Sequence, residues 1–257
     1  MKKINLLFLV QITIAFASVA QNLKPAAPKQ YQPAVLIELF SSEGCSSCPF
    51  ASAFLKEVID ISDSSNTPVY VIDYHVDIWN RSGWVDPFSD SLFSMRQQEY
   101  VHRKKLATMY TPMVFVNGGD KDYAGADKKG IGTAIQNILS NPSNFYMRTG
   151  VTAIENEDSL LVAYQIWGEL DSFDLRVAFV QKEINNQVKG GENSGMILHH
   201  HNIVKFIKTK PLTTNEGMMK IPINRDLNLD NFRMVLFLQH QRTWKVVATD
   251  QLTFKPN

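Results

Sequence analysis

Hydrophobic and polar positions follow two different patterns along the chain. In the first half, apolar runs alternate with segments of helical spacing. Val35–Phe40 is a continuous apolar run broken only by Glu38, and it predicts a strand. Pro49–Asp60 predicts a helix, with Pro49 suited to a first turn whose N–H groups are unpaired in any case. Ser62–Asn66 is a polar turn, and the β-branched and aromatic run Val69–Val76 predicts a second strand. Strand, helix, strand implies a parallel pair joined by a crossover. Asp77–Phe88 predicts a loop. Ser89 or Asp90 then caps a helix reaching about Lys105, with Leu92, Met95 and His102 at helical spacing. Pro112 opens a short strand that ends at Asn117-Gly118, a strong hairpin signal, with its partner near Tyr123–Gly125. Lys128–Leu139 predicts a helix stopped by Ser140-Asn141-Pro142.

From Gly150 the helical spacing disappears. Val151–Ile154, Leu160–Trp167, Leu175–Val180, Ile203–Ile207, Met218–Ile223, Met234–Gln239 and Trp244–Asp250 are short strand-like runs between polar turns. Such spacing predicts a β-sandwich. The expected organisation is therefore an α/β domain over residues 33–145 and an all-β sandwich-like domain over residues 150–257.

The ends and the composition narrow the setting. Lys2-Lys3, the mostly apolar Ile4–Phe16 and the small residues Ser18-Val19-Ala20 read as an export signal over residues 1–20, cleaved before Gln21. Residues 21–32 read as a flexible lead. The apolar stretch is short for a spanning helix, and no later segment could span a membrane. The expected location is periplasmic or secreted. A net charge of +1 gives no basic excess to attract nucleic acid. A chain of 257 residues with only two cysteines does not depend on disulfides as a scaffold.

Those two cysteines carry the chemistry. Cys45 and Cys48 form a C-x-x-C between the first strand and the first helix, the context of a thiol–disulfide motif of thioredoxin type. A cysteine in the first turn of a helix faces free N–H groups and the positive end of the helix dipole, which favour the thiolate. Cys45 is the expected nucleophile, and Cys48, three residues on, the resolving thiol. A structural zinc would need ligands that no second C-x-x-C supplies. A structural disulfide closing so short a loop would constrain the unfolded chain little. No cofactor and no resident metal are expected.

Other candidates surround this pair. Ligands gather at the carboxyl ends of parallel strands. There His75 and Asp77 share a face, so His75 could stabilise or deprotonate a thiol; alternatively it is a satisfied strand histidine and Asp77 caps the next turn. Trp79 and Trp84 either form a substrate-binding wall or anchor their own loop. Among His199-His200-His201, the outer two share one strand face, too few ligands for a metal site.

Several stretches resemble the exported thioredoxin-like family known as domain of unknown function 1223. They are Glu38–Pro49; His75–Trp79 with Gly83–Phe88; Tyr110–Gly118; Gly191–Gly195; and His201–Lys205. The resemblance implies a thioredoxin-like first domain. It implies that Pro112 is the cis-proline facing the cysteines, with the Thr111 backbone beside Cys45 to receive substrate; the other reading is an ordinary trans proline opening an edge strand. It implies that Glu38 lies beneath the cysteines as a carboxylate of raised pKa that relays the Cys48 proton; the other reading is a surface-facing strand glutamate. The expected function is an exported thiol–disulfide oxidoreductase acting on a protein or small-molecule disulfide or thiol, with a redox partner in the envelope. The alternatives are an envelope binding or assembly module on a redox-silent scaffold, and Cu(I) or Zn(II) handling through the cysteines.

Overall fold

The apolar run before the cysteines becomes β1 (Val35–Ser41), buried at every position. The computed structural model describes residues 30–153, 158–224 and 226–254. The expected export signal, and the lead as far as residue 29, lie outside the described residues. After β1 come α1 (Cys48–Ser65), β2 (Val69–His75), α2 (Ser91–Arg103), β3 (Met113–Val116), β4 (Asp122–Ala124) and α3 (Lys128–Leu139). Seven strands follow: β5 (Tyr146–Ala153), β6 (Ser159–Trp167), β7 (Phe173–Gln187), β8 (Ile197–Pro211), β9 (Glu216–Pro222), β10 (Phe232–His240) and β11 (Val246–Thr253).

The fold is predominantly β. Eight strands form one mixed sheet in the order β11-β10-β7-β8-β2-β1-β3-β4, and β5-β6-β9 form a second, antiparallel sheet. β1 and β2 are parallel, as the crossover required. The large sheet runs through both halves of the chain, because β8 lies parallel to β2 with Asp73 opposite Ile203. Asn202, at φ 55°, fastens this seam by donating from its side chain to the Val71 carbonyl at 3.0 Å. Among the described residues the α-helices all precede residue 140, but the first-half strands are not a separate sheet.

Side-chain alternation assigns the layers. Val35, Ile37 and Leu39 of β1 pack with Ala51, Leu55 and Ile59 of α1 and Ile131 of α3. Leu36 and Phe40 point the other way, to Phe93 and Tyr100 of α2 and to Val235 and Phe237 of β10. The small sheet covers the β7–β10–β11 end, where Val162 and Ile166 meet Leu175, Val177, Leu236 and Leu238. Each fully buried aliphatic or aromatic side chain contributes about 1.5–3 kcal/mol.

Besides this shared sheet, which replaces the expected separate α/β and sandwich sheets, the limits of three elements change. α1 runs to Ser65 rather than ending at Asp60. The Ser64 and Ser65 hydroxyls donate to the Ile61 carbonyl at 3.0 and 2.6 Å, so the serines extend the helix until Asn66 turns left-handed at φ 51°. β7 and β8 each extend well beyond the runs Leu175–Val180 and Ile203–Ile207, into polar sequence. Their extensions form a hairpin that reaches the cysteine turn.

Candidate functional site

The turn between β1 and α1 holds the cysteines. Cys45 stands in this turn, before the helix, and not in its first turn as expected; α1 begins at Cys48. The backbone N–H of Cys45 donates to Ser42 O and that of Cys48 to Cys45 O, both at 3.2 Å. Both cysteines are reduced and buried, with 1% and 2% of their surface exposed. A hydrogen bond from the Cys48 thiol is the main influence on Cys45. It outweighs burial and, with bonds from Ser47 and Thr111, brings the Cys45 pKa down to about 6. The stabilisation comes from these specific donors rather than from the helix end alone. Burial pushes Cys48 well above the ordinary thiol value, and Cys45 adds to this.

Thr111 contributes from the far side. The Thr111–Pro112 bond is cis. The Trp79 indole N–H donates to Thr111 Oγ1 at 2.7 Å. That leaves the Thr111 hydroxyl proton for the dithiol, where Thr111 helps to lower the Cys45 pKa. Trp84 donates its indole N–H to Glu43 Oε2 at 2.8 Å. Both tryptophans thus anchor their loop with the polar ends of their rings. Gly44 allows this close packing, since a methyl there would lie 2.8 Å from Trp79 Cβ.

His75 is buried between two carboxylates. Its Nδ1 lies 2.7 Å from Asp86 Oδ2 and its Nε2 3.6 Å from Asp73 Oδ2. Burial alone would lower its pKa, but Asp86 and Asp73 outweigh that and raise it to about 10. The same pairing holds Asp86 below the usual carboxylate value against the effect of burial. Asp86 also accepts the Glu43 backbone N–H at 2.8 Å, tying the histidine to the cysteine turn. Asp77 instead binds Ser94 at the start of α2.

Glu38 requires a correction. It shares the face of Leu36 and Phe40, opposite α1, so it does not lie beneath the cysteines. Arg96 donates to Glu38 Oε1 through Nε at 2.8 Å and Nη2 at 2.5 Å, and the Tyr100 hydroxyl donates to Oε2. These partners engage both oxygens. Glu38 is a buried member of a structural ion pair, neither a relay for Cys48 nor a surface residue.

The polar hairpin supplies residues that no sequence pattern marked as a group. Asn186 of β7 and His200 of β8 reach the buried Glu43 carboxylate, at 2.9 and 2.8 Å respectively. Asn193, between those strands, donates to Glu43 O and Cys45 O. Asp73 receives the Ser41 hydroxyl at 2.6 Å. The sequence marked His200 only within the histidine run and Asn193 only within the Gly191–Gly195 stretch, neither as a partner of the cysteine turn. His199 and His201 point away from His200, as alternation required. Among the described residues, no group of three His, Cys, Asp or Glu side chains is arranged to hold a metal ion.

Residues 36–239 match the family described as "Protein of unknown function (DUF1223)". The chain belongs to this family. Two solved structures share the fold. A protein from Agrobacterium tumefaciens, solved by structural genomics, is 22% identical, with a TM-score of 0.68 over 91% of this chain and 98% of that one. HBP35 of Porphyromonas gingivalis is 13% identical, with a TM-score of 0.61 over 88% of this chain and 77% of that one. No curated protein sequence matches the chain. Within the family match lie the cysteine turn, the His75–Asp86 pair, Thr111–Pro112 and the hairpin tip.

Proposed function

We propose that this DUF1223 protein is an exported thiol–disulfide oxidoreductase with a thioredoxin-like first half. The observation that carries the reading is the placement of two free thiols in the β1–α1 turn, with Ser47 Oγ 3.4 Å from Cys45 Sγ; together with the Cys48 thiol and Thr111, that hydroxyl brings the Cys45 pKa down to about 6. At neutral pH such a thiol is a thiolate, the form that attacks. Cys45 attacks one sulfur of a substrate disulfide, that S–S bond breaks, and the departing thiolate takes a proton. Cys48 then loses its proton and attacks Cys45 Sγ. The second substrate thiol leaves, and the protein is left as the disulfide. The high pKa of Cys48 keeps it protonated until the mixed disulfide forms. Glu38 has no part in this scheme. Export is supported by the signal pattern over residues 1–20. No helix among the described residues is long and apolar enough to cross a membrane.

Exchange requires Cys45 to be uncovered. Its cover comes from the 79–84 loop and from the turn between β7 and β8, where Asn193 holds the Cys45 carbonyl and the Glu192 carboxylate accepts the Ser46 N–H at 2.8 Å. Such contacts open at low cost compared with a core. The same burial favours a second reading, an envelope binding module with a redox-silent dithiol. Reduction of insulin and repair of a scrambled disulfide protein separate the two. Turnover by the wild type and none by Cys45→Ser supports the enzyme; equal rates from both proteins support the binding module.

A further inference from the structure

The start of β8 presents a free strand edge beside the cysteine turn. The Val188 N–H donates to Met196 O at 2.9 Å, which sets the phase of the β7–β8 ladder. In that phase Leu198 and His200 exchange main-chain hydrogen bonds with Asn186 and Ile184. Ile197, His199 and His201 direct their N–H and C=O groups to the other side of the strand. Among the described residues no strand pairs with them there; β8 meets β2 only at Ile203. A cavity of about 360 Å³ separates this edge from α1. Every residue from Met196 to His201 lines it, and so do Cys48 and Pro49. Side chains of a strand alternate between two faces, so a space lined by consecutive residues meets the strand along its edge.

An edge of this kind accepts another strand unless a lysine, a proline or a covering element blocks it. No lysine or proline lies between Gly195 and Asn202, and the cavity keeps α1 off the edge. Ile197 and His199 are exposed. Donors and acceptors at alternate residues are matched by the main chain of an extended polypeptide, which repeats its own groups at the same spacing. Met196 and Ile197 leave exposed apolar surface for the side chains of that strand. The volume suits a short piece of extended chain and not a folded domain.

We propose that the edge of β8 from Ile197 to His201 binds an extended segment of a substrate polypeptide, which adds to the large sheet as a strand next to the dithiol. The inference rests on the redox reading and names its substrate class, disulfides carried by unfolded or extended chains. This edge is distinct from the Thr111 backbone that the family resemblance implies. Docking on it lays the segment beside Cys48 and Pro49, at the foot of the turn between β7 and β8 that covers Cys45.

The test uses the full chain carrying Cys45→Ser and Cys48→Ser, so that binding is read without exchange. The probe is a short fluorescent peptide of alternating threonine and valine, followed by anisotropy beside a copy N-methylated at every residue. The peptide should bind saturably, and the copy, which cannot donate to the edge, roughly tenfold more weakly or worse. His199→Pro should weaken binding roughly fivefold or more, because it removes an outward donor and leaves the β7 bonds of Leu198 and His200 in place. Ile197→Lys, at a side chain already exposed, should do the same and decides the matter if the proline lowers the denaturation midpoint. A scrambled disulfide protein should displace the peptide; failure to displace it overturns the substrate assignment. No binding, equal binding of the N-methylated copy, or indifference to the edge variants overturns the proposal and leaves the redox reading, tested by insulin turnover, intact. A dimer that Ile197→Lys dissociates, with no peptide bound, assigns the edge to a second copy of the chain and also overturns it. Peptide binding without any turnover by the wild type overturns the redox reading and leaves the docking edge.

Discussion

One side-chain nitrogen of Asn193 donates to the carbonyl oxygens of both Glu43, at 2.8 Å, and Cys45, at 3.0 Å. Asn193 is itself buried, and it joins the turn between β7 and β8 to a segment near the other end of the chain. The cysteine turn is therefore shaped by residues from the second half of the protein.

Asn193→Ala should loosen that turn. Leaving two buried carbonyls without their donor costs about 1–3 kcal/mol. The variant should unfold at lower denaturant, and Cys45 should react with a small alkylating reagent faster, by roughly tenfold for each 1.4 kcal/mol lost from the closed state. Unchanged alkylation would mean that Asn193 does not govern the cover.

The His75–Asp86 pair predicts a pH dependence. The folded pKa of His75, about 10, lies above its ordinary 6.5, so its contribution is complete below pH 6.5 and disappears as pH rises through 10. Asp86 has a lowered folded pKa, so its contribution is present above the ordinary carboxylate value and is lost as pH falls through that lowered value. Denaturation midpoints across this range should decline on the alkaline side. In His75→Gln, which leaves Asp86 buried without a cation, the alkaline decline should shrink and stability should fall by about 3–5 kcal/mol. An alkaline decline of full size in that variant would assign it to other groups.

The role of Glu38 can be separated from the chemistry. Glu38→Gln leaves Arg96 buried beside a neutral partner and should cost about 3–5 kcal/mol. It should leave the Cys45 thiolate midpoint unchanged, because the two lie on different faces of the sheet. A shift in that midpoint would restore a link between Glu38 and the dithiol.

Much of the first half was legible because its chemistry is local. β1, the cysteine pair, the Asp90 cap and the Asn117-Gly118 turn each depend on neighbours within a few residues. The 181–187 and 197–202 segments were not legible as strand. Their inward side chains, such as Asn186 and His200, face a buried carboxylate instead of an apolar layer, so the usual alternation is missing. The β2–β8 seam was hidden for a different reason. It joins Asp73 to Ile203, and no local pattern encodes a pairing at that separation. Glu38 was misplaced because its partners, Arg96 and Tyr100, lie on a helix whose packing face is polar at the point of contact.

The most direct measurement is a thiolate titration of the reduced protein by ultraviolet absorbance, comparing wild type with Cys45→Ser. One thiolate should appear in the wild type with a midpoint near pH 6 and be missing from the variant, while Cys48 stays protonated far above that pH. A wild-type midpoint near the ordinary thiol value of 9, or a low-pH thiolate that persists without Cys45, would contradict the assignment of Cys45 as the nucleophile.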